Sequence, residues 1–402
     1  MSETAFPDPE TAVEAVAPET LEEWIDEGDD VAVFDVRAEG EYAEWRIEGG
    51  TVETVNVPYY ELLEGVEDGH LDALPESEDH PLVVVCAKGG ASEYVAGLLS
   101  DAGVDAVNLA DGMNGWASIY ESHEMDVDTD ATVLQYQRPS SGCLSYLIVS
   151  GPSGGDGREA AVVDPLRAFA DEYVRDAASM GADLVYAFDT HVHADHLSGV
   201  RELDARGVEG VIPAEAVGRG VTYADDLTTA EDGDVFEVGD VEVETLYTPG
   251  HTSGMTSYLV DGAVLLTGDG LFVESVARPD LEEGDDGAAE AARTLYRSLQ
   301  ERVLSLDDDT VVGGAHFSDA AEPAADGTYT ATLGDLVEGM DALSMDEDEF
   351  VELVLSDMPP RPSNYEEIIG INLGRREAGD EEAFELELGP NNCAASRDAL
   401  TD

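Results

Sequence analysis

The 402-residue chain carries 91 acidic and 18 basic residues, a formal net charge of −73, with 43% hydrophobic residues. Such a charge repels nucleic acid and anionic membrane surfaces and excludes both as partners, while the apolar content is too high for a disordered polyanion. It fits a protein adapted to high salt, where screening reduces self-repulsion, and the length suggests two or three domains. The N-terminus has no basic stretch followed by an apolar core, and no apolar run approaches membrane-spanning length. Three cysteines far apart make no disulfide framework. The expectation is a soluble, cytoplasmic protein.

Residues 1–17 are acidic and proline-containing and read as a loose arm. From residue 18 the text becomes regular. Thr20, followed three residues later by Glu23, caps a short helix. Residues 31–36 and 81–86 are buried strands, 92–99 a helix and 104–109 a further strand, with a turn at 111–116. Strands alternating with helices imply a parallel sheet. Cys86 closes the second strand and is followed by the loop Ala87-Lys88-Gly89-Gly90-Ala91. Loop amides and a helix N-terminus stabilise negative charge, which a nucleophilic thiolate needs. Lys88 is the only lysine of the chain; it stands two residues after Cys86 and adds a local positive charge. The glycines let backbone wrap closely around a site.

Residues 123–131 are acidic and aperiodic and read as a linker. The second half opens with two strands at 133–149 around a Pro-Ser-Ser-Gly turn. Cys143 sits there as a packed strand residue. A glycine-rich loop spans 151–158, and a helix spans 171–180. The run 183–189 is a short apolar strand, and behind it comes Thr190-His191-Val192-His193-Ala194-Asp195-His196. Imidazole and carboxylate are the side chains that bind borderline metals. In extended chain, His191, His193 and Asp195 would point to one side. His251 follows a Pro-Gly turn after the alternating strand 241–246. Asp269 closes an apolar run, and His316 follows Val311 and Val312. Five of the eight histidines fall in these three segments. That concentration at strand ends points to a metal centre rather than to isolated core histidines. Helices are expected at 288–304 and 347–355, and a frayed acidic tail, with Cys393 incidental to it, at 375–402.

This second set resembles the metallo-β-lactamase superfamily over roughly residues 133–373. Within it the closest likeness is to the persulfide dioxygenase branch. Ser141 to Ile148, Ala161-Val-Val-Asp-Pro165, Arg278-Pro279-Asp280 and Met358 to Tyr365 carry that choice. The first half is similar to a rhodanese domain. Its landmarks are Asp35-Val-Arg37, Glu41-Tyr42, the Ile47 turn, Asn56-Val-Pro58, the Cys86 loop and Gly112 to Trp116. One departure stands out: Ala91 occupies the loop position that usually holds arginine. The composition is similar to that of cytoplasmic proteins of salt-accumulating archaea. The resemblances imply an α/β chain: a rhodanese-like parallel-sheet domain at 18–122, then a metallo-β-lactamase αβ/βα sandwich at 132–374.

By resemblance, the dioxygenase branch implies one Fe(2+) per chain on His191, His251 and Asp269. Two histidines and one carboxylate leave coordination positions open for O2 and a persulfide sulfur. His193, Asp195, His196 and His316 would then orient ligands and water, and Arg278 and Asp280 would bind substrate. The same residues also fit two Zn(2+). His191, His193 and His251 would hold one ion, Asp195, His196 and His316 the other, and Asp269 would bridge; this is the glyoxalase II arrangement for thioester hydrolysis. A third reading is a non-enzymatic sulfur carrier built on Cys86. The implied small molecules are a thiol persulfide, O2, and sulfite or thiosulfate, and the reading admits a homodimer.

Overall fold

The computed structural model describes residues 12–63, 65–151, 157–282, 284–318, 321–356, 358–389, 391 and 393–395. The chain divides into two compact units, Met1–Ile119 and Tyr120–Asp402.

The N-terminal unit is built on a five-stranded sheet, all parallel. Its spatial order is Ala15–Val16, Ala106–Leu109, Leu82–Val85, Val31–Asp35, Val52–Asn56. The central strands Val31–Asp35 and Leu82–Val85 are buried at every position. Continuous Val-rich runs are what a parallel strand covered on both faces requires. One core cluster gathers Leu21, Val33, Val83, Val85, Met113 and Trp116, and the other Phe34, Val84, Val95 and Leu99. Buried Asp35 and Arg37 form a two-point ion pair, with Nη2 to Oδ2 at 2.6 Å and Nε to Oδ2 at 3.0 Å. Asn56 Nδ2 donates to the carbonyls of both residues. The Asp-Val-Arg and Asn-Val-Pro landmarks thus hold one strand end.

Three expectations change here. The first helix is Pro18–Asp26 with Ala17 at its N-cap and no side-chain cap, so Thr20 lies inside it; Pro18 supplies the start instead. Of the arm at 1–17, residues 1–11 lie outside the described residues, while Ala15–Val16 pairs with Asn108–Leu109. The stretch 111–116 is a helix, Gly112–Trp116, rather than a plain turn.

The second unit stacks two sheets. The seven-stranded one runs Thr228–Ala230, Glu209–Pro213, Ala182–Phe188, Arg158–Val163, Cys143–Val149, Thr132–Arg138, Glu121–Glu124. The six-stranded one runs Val235–Val238, Val241–Tyr247, Thr256–Val260, Val264–Gly268, Val311–Gly314, Thr330–Thr332. Leu144, Tyr146, Ile148 and Phe188 from the first pack on Val243, Tyr258, Val260 and Leu266 from the second. The outer faces carry helices. Tyr173 and Ala177 of Ala170–Ser179 cover the first sheet. Leu295 and Leu299 of Ala288–Glu301, with Phe350, cover the second. This is the αβ/βα order.

Two further expectations are corrected, and a third falls largely outside the described residues. The stretch read as a linker from 123 starts inside the strand Glu121–Glu124, paired antiparallel with Thr132–Arg138; its charges face solvent on a sheet edge, which hides the strand pattern. The acidic tail is not frayed over its described part. It forms the helix Asp380–Leu386, and Glu387 and Cys393 are buried. The glycine-rich loop at 151–158 lies mostly outside the described residues. Among the described residues no helix is long and apolar enough to cross a membrane.

Candidate functional site

Four strand ends converge on one buried cluster. The strand Ala182–Phe188 leads into residues 190–198, Val241–Tyr247 into His251, Val264–Gly268 into Asp269 and Val311–Gly314 into His316. Gly268 is required at its place: φ is +53°, and a Cβ there would stand 2.4 Å from Thr190 Oγ1. Residues 190–198 form an irregular loop, not extended chain. The side-chain alternation expected for His191, His193 and Asp195 therefore does not apply, and their partners differ.

His191 and His251 meet at Asp269. His191 Nε2 lies 3.5 Å and His251 Nε2 3.4 Å from Asp269 Oδ2. All three atoms are buried without a hydrogen-bond partner. The far nitrogens are committed. Asp164 takes the Thr190 hydroxyl proton at 2.9 Å, so His191 Nδ1 donates to Thr190 Oγ1, also at 2.9 Å. His251 Nδ1 donates to the Arg278 carbonyl at 2.9 Å. Each ring is thus left with an Nε2 lone pair turned toward the carboxylate. Burial pushes His191 down to about 3 and lowers His251, so both are neutral rings able to act as ligands. Orphaned buried acceptors are costly, and three aimed at one point fit a metal ion.

His193 turns the other way. Its Nε2 lies 3.1 Å from Asp164 Oδ1 and 3.7 Å from Asp189 Oδ1. Burial and His196 oppose its charge, but Asp164 and Asp189 raise it to about 9. Asp164 itself has φ +50°, a conformation costly for a residue with a side chain. Its carboxylate serves Thr190 N, Thr190 Oγ1 and His193 together.

His316 bridges two carboxylates, with Nδ1 2.6 Å from Asp269 Oδ1 and Nε2 2.6 Å from Asp195 Oδ2. Burial opposes a charge on this ring, but Asp269 and Asp195 hold it well above the ordinary imidazole range. His196 Nδ1 and Cys143 Sγ also reach Asp195 Oδ2, at 3.2 and 3.3 Å. Cys143 is packed in its strand as expected, and it also borders this cluster. Cys393 belongs to the same neighbourhood, within 4.8 Å of donors on Asp195, Asp269 and His316; it is not incidental.

Arg278 and Asp280 form a buried two-point pair, at 2.7 Å for Nε to Oδ1 and 3.0 Å for Nη2 to Oδ2. Arg278 Nη1 donates to Pro360 O, and Arg361 Nε donates to Asp280 Oδ2 at 2.9 Å. The Pro-Pro-Arg-Pro stretch is thereby tied to the segment that carries the His251 acceptor.

In the N-terminal unit, Cys86 is 6% exposed at the end of its strand, and the helix Gly90–Asp101 starts just past it. Ser92 Oγ lies 3.1 Å from Cys86 Sγ and 3.0 Å from Gly89 O. Lys88 is exposed, and Ala91 is buried against the core that contains Cys86. Met113 N and Asn114 N donate to the carbonyls of Cys86 and Ala87. Gly112, at φ +59°, allows that approach; a Cβ there would sit 2.1 Å from Cys86 O.

Residues 139–316 match the metallo-beta-lactamase superfamily model. Residues 17–119 match the rhodanese-like domain model. A probable metallo-hydrolase of Burkholderia pseudomallei is 31% identical over 220 residues, covering 44% of this chain and 70% of that protein. The chain belongs to the metallo-beta-lactamase superfamily. It carries a rhodanese-like domain ahead of the metallo-beta-lactamase domain. Human mitochondrial persulfide dioxygenase ETHE1 is 31% identical over 185 residues, covering 45% of this chain. The chain spans 66% of the human protein's length. The crystal structure of ETHE1 from Myxococcus xanthus superposes with a TM-score of 0.50 at 26% identity, over 60% of this chain and 97% of that one. The superfamily and this donor set together imply a bound metal ion.

Sequence reasoning found every histidine and aspartate of the cluster except Asp164 and Asp189. Asp164 stood in the Val-Val-Asp-Pro landmark without a role. Ser92, beside Cys86, was also missed; a serine in a helix carries no motif.

Proposed function

We propose that the chain oxidises a thiol persulfide to sulfite with one Fe(2+) in the second domain, and moves sulfane sulfur on Cys86 in the first. The observation that carries this is the set of three orphaned atoms, His191 Nε2, His251 Nε2 and Asp269 Oδ2. Two imidazoles and a carboxylate suit a non-haem iron(II) with open positions, and such an ion would supply the redox chemistry that joins O2 to sulfur. The protein's part is to keep both rings neutral and fixed in tautomer, through Thr190 and the Arg278 carbonyl. His316 and Asp195 hold the second oxygen of Asp269 in place. The likeness to persulfide dioxygenases and the rhodanese-like domain both favour a persulfide as the substrate.

On the first domain, the Cys86 thiolate would take the terminal sulfur of a persulfide and release the carrier thiolate. Sulfite then removes that sulfur as thiosulfate and restores Cys86. Arg278 and Asp280 are assigned to the substrate side of the metal. Metal analysis of protein produced without added zinc, with oxygen uptake on a persulfide, tests the reading. One iron per chain and persulfide-dependent uptake are expected.

A second reading has a specific observation behind it. Cys143, Asp195, His196 and His316 place donors within 4.8 Å of one another, which favours a second ion and a di-zinc thioester hydrolase. Against it, both nitrogens of His316 are engaged by carboxylates, and His193 is turned to Asp164. Two zinc ions with thioester hydrolysis and no oxygen uptake would establish this alternative.

A further inference from the structure

The loop bearing His191, His193, Asp195 and His196 has no regular structure of its own. Its buried backbone groups need partners from elsewhere. Four of its hydrogen bonds go to two residues far along the chain. Asn372 Nδ2 donates to His193 O at 3.0 Å and to His196 O at 2.8 Å, and Ser198 N donates to Asn372 Oδ1 at 3.1 Å. Leu197 N donates to Glu387 Oε1 at 2.6 Å.

Glu387 is itself fixed. Its other oxygen, Oε2, accepts from Arg138 Nη1 at 2.9 Å, and both side chains are almost fully buried. Arg138 lies between the rings of Phe169 and Phe384, 5.5 and 5.1 Å from their centres. A helix end can be docked by apolar contacts alone; a buried ion pair is a poor way to gain stability. Here one carboxylate oxygen meets the guanidinium and the other meets the amide next to His196. The carboxylate fixes the loop as well as the helix.

The same C-terminal segment reaches the second ligand loop. Arg278 N donates to Cys393 O at 3.1 Å, and Ala395 N to Val276 O at 2.8 Å. Arg278 O is the acceptor that orients His251. Two of the ligand-bearing loops therefore lean on residues 372–395.

We propose that Asn372 and Glu387 are positioning residues for the metal loop, so that docking of the C-terminal segment and metal binding are reciprocally coupled. The inference rests on the reading of His191, His251 and Asp269 as the metal-holding set. A metal that needs the loop in one geometry favours the docked segment, and by linkage the docked segment favours the metal to the same factor.

The test uses the full chain and two variants. Arg138→Met with Glu387→Met replaces the ion pair by apolar side chains of similar size, which keeps the packing and removes the acceptor for Leu197 N. Asn372→Asp keeps the acceptor for Ser198 N and removes both donors to the histidine carbonyls. Chelator competition with Fe(II) and with Zn(II) measures affinity. Hydrogen exchange over Asp380–Leu386, with and without each metal, measures docking. Both variants are expected to bind metal at least tenfold more weakly with unchanged far-ultraviolet dichroism. In the wild type, metal is expected to slow exchange in that helix at least tenfold. Wild-type affinity in the variants, or exchange in the helix that ignores the metal, overturns the proposal alone. If the double variant does not fold, Asn372→Asp decides the affinity arm. A wild-type chain that takes up neither metal removes the proposal together with the reading beneath it.

Discussion

Among the five clustered histidines, the atom that faces each ring decides what the ring does. His191 and His251 each donate a hydrogen bond to a neutral oxygen and keep an Nε2 lone pair for a metal ion; His316, between two carboxylates, is held as a donor. Asp269 is where these roles meet. Asp269→Asn removes a charge and one lone-pair face, and the iron content after dialysis is expected to fall below a tenth of the wild-type value. Retained iron would show that Asp269 is not a ligand. For Cys86→Ser, sulfur transfer to sulfite should vanish while persulfide-dependent oxygen uptake continues; transfer that persists would make Cys86 a packing residue only. Gly112→Ala forces a Cβ against Cys86 O at a positive φ. It is expected to destabilise the first unit by about 1–3 kcal/mol. All three tryptophans, Trp24, Trp45 and Trp116, lie in that unit, so tryptophan fluorescence during denaturant unfolding reads it alone.

At the level of elements, the buried Arg138–Glu387 pair makes a sharp case. Arg138→Met alone leaves Glu387 buried without its counter-charge, and a loss of about 3–5 kcal/mol from the second unit is expected by denaturant unfolding. A smaller loss would mean that the helix Asp380–Leu386 undocks and lets Glu387 reach water. This element also shows where the sequence was legible. The runs at 31–36 and 81–86 were readable because strands buried on both faces are continuous apolar text, and 183–189 because its apolar run is short and bounded by aspartates, although Leu184, Val185 and Tyr186 are only half-buried. The metal loops were readable because histidine is rare in this chain and falls at strand ends. The strand Glu121–Glu124 and the helix Asp380–Leu386 were not. Each is short and acidic, and in a chain this rich in carboxylates an acidic face does not distinguish an ordered element from a loose one. Asn372 and Glu387 were illegible for another reason: their role lies in backbone contacts across more than 170 residues, which no local pattern encodes.

The whole molecule carries a charge of −73, so its compact state is strained by self-repulsion. The melting temperature is expected to rise with potassium chloride into the molar range; a salt-independent transition would sink the high-salt reading. Joining the two domains in one chain raises their effective concentration if, as proposed, both handle sulfur and pass it between them. With persulfide and sulfite supplied, the intact chain should form thiosulfate faster than an equimolar mixture of its two units. Equal rates would leave matched production as the only benefit of the fusion. The partnership of Leu197 with Glu387 has a consequence in time. The two residues are 190 positions apart. At the pace of synthesis, about 5–20 residues per second, the loop is made roughly 10–40 s before the glutamate that steadies it. On the proposed reading, a nascent chain therefore carries the histidines of this loop for that interval before the residue that would steady them exists, and full metal affinity is expected only of the finished polypeptide.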